Sequence, residues 1–410
     1  MDVDIRPIAV EELPELARVF GTVLGRPWPG EALAEFPKVF ETDRSLCAFD
    51  AREGMVATAG AYSFELTVPG GVGVPAGGLT LVSVLPTHRR RGILRALMQR
   101  HFEDVQARGE PVSILTASES LLYGRFGYGM ASSAADLEID RRHAAFAGSV
   151  PTSGRVRMVA GDEAARLLPE VFDRVRRAHP GQISRAPAWW DLRLRDPEWV
   201  RDGGGPRVNV VYEPDPGQVD GYATYSLKPR WTGNLPDNVA QVHELMAVTP
   251  EAAASLWRFC LDLDLTTTVE LHNRPLDEPL RWCLADPRRL RTTLLSDFLW
   301  LRLLDVRGAL AARRYAASGQ LVLEVADPLL PENDGRFRVD GGPWGADCAR
   351  TGFEPDVVLD VASLGAAYLG GVRFSTLGRA GRAGEGRPGA LTRADAMFGS
   401  DLAPWCSTDF

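Results

Sequence analysis

Lysine is nearly missing from this chain: it stands only at Lys38 and Lys228, and arginine supplies almost all the positive charge. With the abundance of Ala and Gly, that is a bias of composition and implies no function. Paired cysteines are missing as well. Cys47, Cys260, Cys283, Cys348 and Cys406 are odd in number, scattered and never spaced C-x-x-C, which excludes a disulfide framework and a cysteine zinc site. The thiols are expected to be reduced and mostly buried, and no metal is expected. No apolar run is long enough to span a bilayer; the most apolar stretch, Leu294 to Leu304, is broken by Asp297 and Arg302 and reads as core. The opening MDVDIRPIAVEELPEL lacks a basic n-region and an apolar h-region, so no signal peptide is expected and the cytoplasm is the expected compartment. A net charge of −8 speaks against a general nucleic-acid partner, and nothing suggests a membrane one.

What is present is an ordinary globular composition, 45% hydrophobic and 24% charged, over 410 residues. At about 150 residues per domain that length suggests two or three domains. Strand and helix signals alternate over residues 1–150, which implies an α/β sheet with helices on its faces. Residues 151–290 repeat the theme: VHELMAVTPEAAASLWRFCLDLD has the same strand, turn, helix order as the stretch around Leu81 to Glu103, and its helix is well started by Thr249 as N-cap, Pro250 and Glu251. An internal duplication in which one copy keeps a special site explains both. Residues 291–410 open on a helix-like stretch, SDFLWLRLLDVRGALAARRY, followed by strand-like pieces; GRAGRAGEGRPG reads as a flexible loop.

The special site is marked by SVLPTHRRRGILRALMQRHFE. Ile93, Leu94, Leu97, Met98 and Phe102 recur at helical spacing, yet Arg89, Arg90 and Arg91 crowd the helix start, where the peptide dipoles already leave partial positive charge. An anion resolves the conflict. The first N–H groups of a helix point outward without intrahelical partners, arginines beside them become charge-assisted donors, and Gly92 lets a phosphate approach the backbone. A solvated basic loop before a surface helix is the competing explanation of the run taken alone.

Arg89-x-x-Gly92 after a strand resembles the R/Q-x-x-G-x-G/A pyrophosphate loop of the Gcn5-related N-acetyltransferases (GNAT), with Leu94 where that pattern has Gly or Ala. VSVLPTHRRRGILRALM followed by ASESLLYGRFGYG resembles the Eis family of actinobacterial acetyltransferases, and so does the three-part layout with its C-terminal aromatic residue. The resemblance implies tandem GNAT folds, each a mixed and mostly antiparallel sheet flanked by helices, plus a sterol-carrier-protein-like α+β domain at the C-terminus. It implies acetyl-CoA as co-substrate, with the pantetheine arm along Val82, Ser83 and Val84, the pyrophosphate at Arg89, Arg90, Arg91, Gly92, Ile93, Leu94 and Arg95, and Ser118 and Glu119 flanking the thioester. It further implies aminoglycosides as acceptors at more than one amine, and a homohexamer.

Acetyl transfer to an amine needs a neutral nitrogen, a polarised thioester and a proton for the departing thiolate. By resemblance to the wider acetyltransferase pattern Y-x-x-x-G-F/Y, Tyr123 is the expected general acid, with Tyr128 packing or bonding structurally, a choice that geometry has to make. The resemblance implies the α-carboxylate of Phe410 as general base, through water. Asp409 is the candidate cation contact, and Trp28 and Phe36 are candidate walls of the acceptor pocket. Two other readings compete: acetylation of protein lysine or of a polyamine by the same groups, and a lipid carrier that binds acyl-CoA without catalysis.

Overall fold

The computed structural model describes residues 3–149, 154–201 and 203–410, and three large sheets carry its architecture. The first part of the chain forms strands β1 (Val3–Pro7), β2 (Leu46–Asp50), β3 (Gly54–Val68), β4 (Val72–Val84), β5 (Val112–Thr116), β6 (Gly129–Met130) and β7 (Ser133–Asp140). Helices α1 (Leu13–Leu24), α2 (Gly30–Glu35), α3 (Ile93–Ala107) and α4 (Ser120–Tyr123) lie between them. The middle adds β8 (Arg155–Val159), α5 (Gly161–Arg176), α6 (Pro187–Arg195), β9 (Val208–Glu213), β10 (Gly221–Lys228), the small hairpin β11 (Trp231–Thr232) and β12 (Leu235–Pro236), β13 (Asn238–Ala247), α7 (Pro250–Leu261), β14 (Thr266–Arg274) and α8 (Leu280–Cys283). The last part runs β15 (Arg291–Asp297), β16 (Leu299–Leu303), α9 (Val306–Ala312), β17 (Gly319–Ala326), β18 (Gly335–Gly342), β19 (Gly345–Arg350), β20 (Val357–Asp360), α10 (Val361–Tyr368), α11 (Phe374–Arg379), β21 (Ala383–Glu385) and α12 (Ala390–Phe398).

These elements sort into two compact units. One takes the chain up to Ser132 together with 298–404 and 408–410; the other takes 133–297 and 405–407. Sheet 1, in the first unit, has the order β1-β2-β3-β4-β5-β16-β6, and sheet 2, in the second, reads β8-β9-β10-β13-β14-β7-β15 from its far edge. In each, the fourth and fifth strands are the parallel pair and every other pairing is antiparallel. The duplication is therefore visible in the topology, with an exchange: β16, late in the chain, completes sheet 1, while β7, early in the chain, completes sheet 2. The third sheet, β19-β18-β17-β20-β21, belongs to the first unit.

The stretch expected as a helix from residue 296 onward is instead the end of β15, then β16, and only then α9. Leu299, Leu301, Arg302 and Leu303 are all buried, and a short fully buried run has no period that separates strand from helix. The Gly/Arg stretch expected as a plain loop also carries β21, paired antiparallel to β20.

Packing follows the patterns that were legible. Helix α3 turns Ile93, Leu97, Met98, Phe102 and Val105 into the core of sheet 1. Helix α10 is buried along its whole length and lies on β16 and β6, where Gly129 and Gly365 leave no space for a Cβ against the backbone of Ala362 and Leu301. Beside it Arg302 of β16 donates through Nη2 to both Asp327 oxygens at 2.9 and 2.8 Å, with both side chains fully buried. Asp327 also accepts from the Leu329 and Leu330 N–H groups and from Asn333 Nδ2, so the third sheet is tied to sheet 1 through one carboxylate.

Breaking a buried pair by removing one partner costs about 3–5 kcal/mol. Arg302→Met is accordingly expected to lower the unfolding free energy read from urea titration by about 3–5 kcal/mol, shifting the midpoint without changing the slope, and adding Asp327→Asn to recover part of the loss.

Candidate active site

The site begins with hydrogen bonds that are not made. Strands β4 and β5 pair in parallel at Ala76–Val112, Gly77–Ser113 and Gly78–Ile114, and there the pairing stops, although β4 runs on to Val84 and β5 to Thr116. Two local features drive the strands apart. Gly77 and Gly78 are crowded on opposite sides: a Cβ on Gly77 would meet Val105 and the Arg44–Glu110 ion pair, and one on Gly78 would meet the rings of Phe64 and Phe410. Further along, β4 carries one extra residue against β3 between Thr80 and Ser83, with Leu81 at φ 50°. The bulge is stapled: the Thr58 hydroxyl donates to the Leu81 carbonyl at 2.6 Å and so accepts from Ser83 Oγ at 2.7 Å. A bulge bends its strand and disrupts the ladder, and from Leu79 to Val84 this strand has no β5 rung among the described residues.

Beyond Val84 the chain enters the arginine run. Arg90 and Gly92 both adopt left-handed backbone, at φ 63° and 82°, and Gly92 is the N-cap of α3. Among the described residues no side chain caps this helix, and its first turn holds no acid. The first intrahelical bond runs from the Ala96 N–H to the Gly92 carbonyl, so the N–H groups of Ile93, Leu94 and Arg95 precede it and face outward. Arg89, Arg90, Arg91 and Arg95 are exposed around that helix start, and Arg89 Nε reaches back to the Val84 carbonyl at 3.3 Å. This is a 15-residue helix presenting a bare positive end in a ring of guanidinium groups, an arrangement suited to an anion. In sheet 2 the equivalent connection has shrunk to Val248 and Thr249; Thr249 Oγ1 caps α7 by accepting from Ala252 N at 3.1 Å, and Glu251 occupies the first turn. The second copy has the same parallel strand pair and none of the anion site.

At the end of β5, Ser118 and Glu119 are exposed and lead into α4, which ends on Tyr123. The Tyr123 ring is buried, and among the described residues its hydroxyl has no hydrogen-bond partner. Burial, with the charge of Glu119, pushes it up to about 12, so it stays protonated throughout the physiological range. Tyr128 lies 6.1 Å away ring to ring and is differently placed. Its hydroxyl meets Ser113 Oγ at 2.7 Å; Ser113 donates to the Gly77 carbonyl at 3.0 Å and meets His101 Nε2 at 2.8 Å. With one hydrogen committed to Gly77, Ser113 accepts from both Tyr128 and His101, and burial pushes His101 down to about 3, which keeps it neutral. Tyr128 is thus bonded inward, under the glycines where the strands part. Between the tyrosines, Gly127 at φ 80° packs on the Arg302 guanidinium, with no space for a side chain.

The end of the chain reaches the same split. Asp409 accepts from Thr116 Oγ1 at 3.3 Å, two residues past the last β4–β5 rung, and the Phe410 ring packs edge-on against Phe64 at 4.9 Å and over Gly78. Although Asp409 faces solvent in part, surrounding protein raises its carboxyl above the usual range against hydrogen bonds from Thr116 and the Phe410 N–H. A row of rings continues from Phe64 through Tyr62, Phe40 and Phe36 to Trp28, at successive centroid distances of 5.8, 6.1, 4.4 and 4.4 Å. The candidate site residues singled out from the sequence all fall in one unit: the arginines surround the start of α3, Val82 to Val84 follow the last β4–β5 rung, Tyr123 ends the short helix after β5, Asp409 and Phe410 meet Thr116 and Phe64, and Phe36 and Trp28 close the ring row. Thr58, Gly77, Gly78, Ser113, His101 and Phe64 were not foreseen. Only the Gly77-Gly78 pair inside a strand pattern was a readable signal, since such glycines mark bulges or close approach of another group.

Comparison with known proteins shows the family and the fold. Residues 4–131 match an acetyltransferase (GNAT) domain family, residues 181–303 a second acetyltransferase (GNAT) domain family, and residues 306–407 a sterol carrier protein domain family. An uncharacterized N-acetyltransferase of Streptomyces coelicolor is 42% identical over 96% of this chain and 95% of its own. The N-acetyltransferase Eis of Mycobacterium tuberculosis is 37% identical over 84% of this chain and 83% of its own. The crystal structure of Eis1 from Mycobacterium abscessus superposes with a TM-score of 0.88 at 36% identity, covering 99% of this chain and all of that one. At such identity and coverage, with two GNAT folds and a sterol-carrier domain in the same order, the chain belongs to the Eis family of GNAT N-acetyltransferases.

Proposed function

We propose that the chain moves the acetyl group of acetyl-CoA to amines of a cationic small molecule of the aminoglycoside class, at more than one position. The observation that carries the reading is the coincidence, in one compact unit, of a released strand edge, the uncapped, arginine-ringed helix start that follows it, and, on the short helix after β5, a buried tyrosine whose hydroxyl has no hydrogen-bond partner among the described residues. Acetyl-CoA supplies an activated acyl thioester. Val82 and Val84 offer main-chain donors and acceptors to the amides of its pantetheine arm, as an edge strand offers them to an added strand. Ser83 takes part through its backbone alone, because its hydroxyl is held by Thr58. Arg89, Arg90, Arg91 and Arg95 and the N–H groups from Gly92 to Arg95 hold the pyrophosphate. Ser118 and Glu119 flank the thioester.

Tyr123 then donates its proton to the departing sulfur, a role for which its neutral, uncommitted hydroxyl is suited and the inward-bonded Tyr128 is not. The terminal carboxylate of Phe410 takes the proton of the attacking amine, through water. Asp409 pairs with a second cationic group of the acceptor, and the ring row ending in Phe36 and Trp28 forms an apolar wall for its sugar faces. Such a wall with acids at one end suits a polycationic ring molecule better than an extended lysine peptide. A thiol-release assay run side by side with an aminoglycoside, a polyamine and a lysine peptide decides among them: the aminoglycoside should give the highest kcat/KM, and a faster peptide would replace this acceptor class.

Tyr123→Phe should lower kcat by about 10²–10⁴-fold, the usual worth of a general acid. Tyr128→Phe should instead cost about 1–3 kcal/mol of stability by leaving the Ser113 network short of a donor, with a smaller effect on kcat. Because burial holds Tyr123 protonated up to about 12, the wild-type pH profile should rise with pH to a plateau and show no tyrosine-linked decline below about pH 11; Tyr123→Phe should lower the plateau without moving the acidic limb.

Replacing Arg90 and Arg91 together by Ala should raise the KM for acetyl-CoA by about tenfold or more, one charge-assisted bond being worth about 1.5–3 kcal/mol. The KM for the amine should stay within about twofold, as an interaction confined to one substrate requires.

Removing Phe410, or extending the chain beyond it, should abolish most turnover while equilibrium binding of acetyl-CoA survives.

A further inference from the structure

The turn that carries the proposed acid is seated on a buried charge. Tyr123 ends α4, and the chain passes through a single turn, Gly124–Phe126, and Gly127 to reach Tyr128 and β6. The Gly127 N–H donates to the Gly124 carbonyl at 3.1 Å and the Tyr128 N–H to the Tyr123 carbonyl at 3.3 Å, so the loop closes on Tyr123 itself. Gly127, at φ 80°, is where this loop meets its support: a Cβ there would collide with Arg302 Nη1 and with Val361 of α10. Arg302 stands opposite Ser113 in the β5–β16 ladder, and Ser113 in turn meets the Tyr128 hydroxyl. The guanidinium lies 5.1 Å from the centre of the Phe102 ring, which is 6.2 Å from that of Tyr128.

Only Nη2 of this fully buried guanidinium is used on Asp327; Nε and Nη1 have no hydrogen-bond partner among the described residues. Taking such a group out of water costs several kcal/mol, which an ion pair through one nitrogen offsets poorly. Its place against Gly127 gives it another use. The Tyr123 hydroxyl has no hydrogen-bond partner among the described residues, so its direction is set by the packing of its ring and by the backbone behind it. That backbone rests on Arg302. We propose that Arg302 is a positioning residue for acetyl transfer: held by Asp327 of the sterol-carrier domain, it fixes Gly127 and through it the aim of the Tyr123 hydroxyl. The inference rests on Tyr123 being the acid, as proposed above, and every contact in it lies within one compact unit. Asp327 is itself fixed by the Leu329 and Leu330 N–H groups and by Asn333, whose amide also donates to the Leu303 and Leu304 carbonyls at 3.2 and 3.3 Å. The third domain thus grips the strand directly after the residue that seats the turn.

The test reads the turn and turnover separately. Because Arg302→Met alone lowers stability, the variant measured is Arg302→Met with Asp327→Asn, at a temperature where its melting curve shows it folded. Amide exchange over residues 120–128 should quicken by about tenfold or more, while β2 and β3 change no more than the measured loss of stability accounts for. Misplacing a catalytic group by about 1 Å costs up to about 10²-fold, so kcat should fall about tenfold or more. The KM for acetyl-CoA should stay within about twofold, as a change confined to the transition state requires. Arg302→Lys, which keeps a charge for Asp327 and loses the planar group under Gly127, should also lower kcat, with a smaller loss of stability. Added to Tyr123→Phe, the double substitution should change kcat by less than about twofold, because groups acting as one unit are not additive. Unchanged exchange over residues 120–128 overturns the proposal, as does a kcat that returns to wild type, or a loss that multiplies in the Tyr123→Phe background. If Tyr123→Phe by itself leaves turnover intact, the acid assignment fails and the aiming role with it, while the exchange rates still decide whether Arg302 seats the turn.

Discussion

Everything in the proposed chemistry depends on a parallel strand pair that stops bonding before its strands end. A β-strand with one open side carries a row of donors and acceptors at fixed spacing, and any extended amide-bearing chain can complete it. Interior strands normally satisfy both sides, so an opening in the middle of a sheet has to be maintained against collapse. Here the maintenance is local and specific. Two glycines admit bulky groups on both faces of β4, a one-residue bulge turns the strand, and a threonine–serine staple holds the bulge in register. The fully committed Ser113–Tyr128–His101 cluster closes the floor below the last rung, where a loose polar group would compete for whatever enters.

The tandem copies show how such an opening is reused. Both sheets have the same strand order and the same parting of strands four and five, but they differ in the connection that follows. The first keeps the residues from 85 to 92, with two left-handed positions and a helix start stripped of caps and acids. The second keeps two residues and a well-capped helix. A helix start cannot be both self-satisfied and open to an anion, so the presence of Thr249 and Glu251 in one copy, and their absence in the other, is a functional distinction written in capping chemistry.

That distinction was readable in the sequence because caps and charges are local. So were the apolar stripe of α3, the strand before it, and the short helix carrying Tyr123. What the sequence left hidden depends on contacts between distant segments. Leu299 to Leu303 read as helix because a run buried on all sides has no amphipathic period, and the neighbours that make it a strand are residues 112–116 and 129–130. The parting of β4 from β5 is invisible to periodicity, and the bulge at Leu81 sits in a run of β-formers with no glycine to mark it. Tyr123 and Tyr128 look alike in the sequence and differ only in three dimensions: Ser113, itself bonded to His101, meets the Tyr128 hydroxyl, and neither residue reaches that of Tyr123.

The exchange of strands between the two GNAT copies has a consequence for how the molecule comes into being. β5 borders the site on one side and needs β16 on the other, so residues 112–116 wait for residues 299–303 before their ladder is complete. During synthesis from the N-terminus, the first copy remains an unfinished sheet with an exposed inner strand until both copies have left the ribosome. Contacts of such long sequence separation form slowly, and the waiting edge is a template for pairing with other chains. Catalytic competence in this architecture is thus a late event of biogenesis, and chains interrupted anywhere before β16 are left with a sticky half-sheet in place of a smaller enzyme.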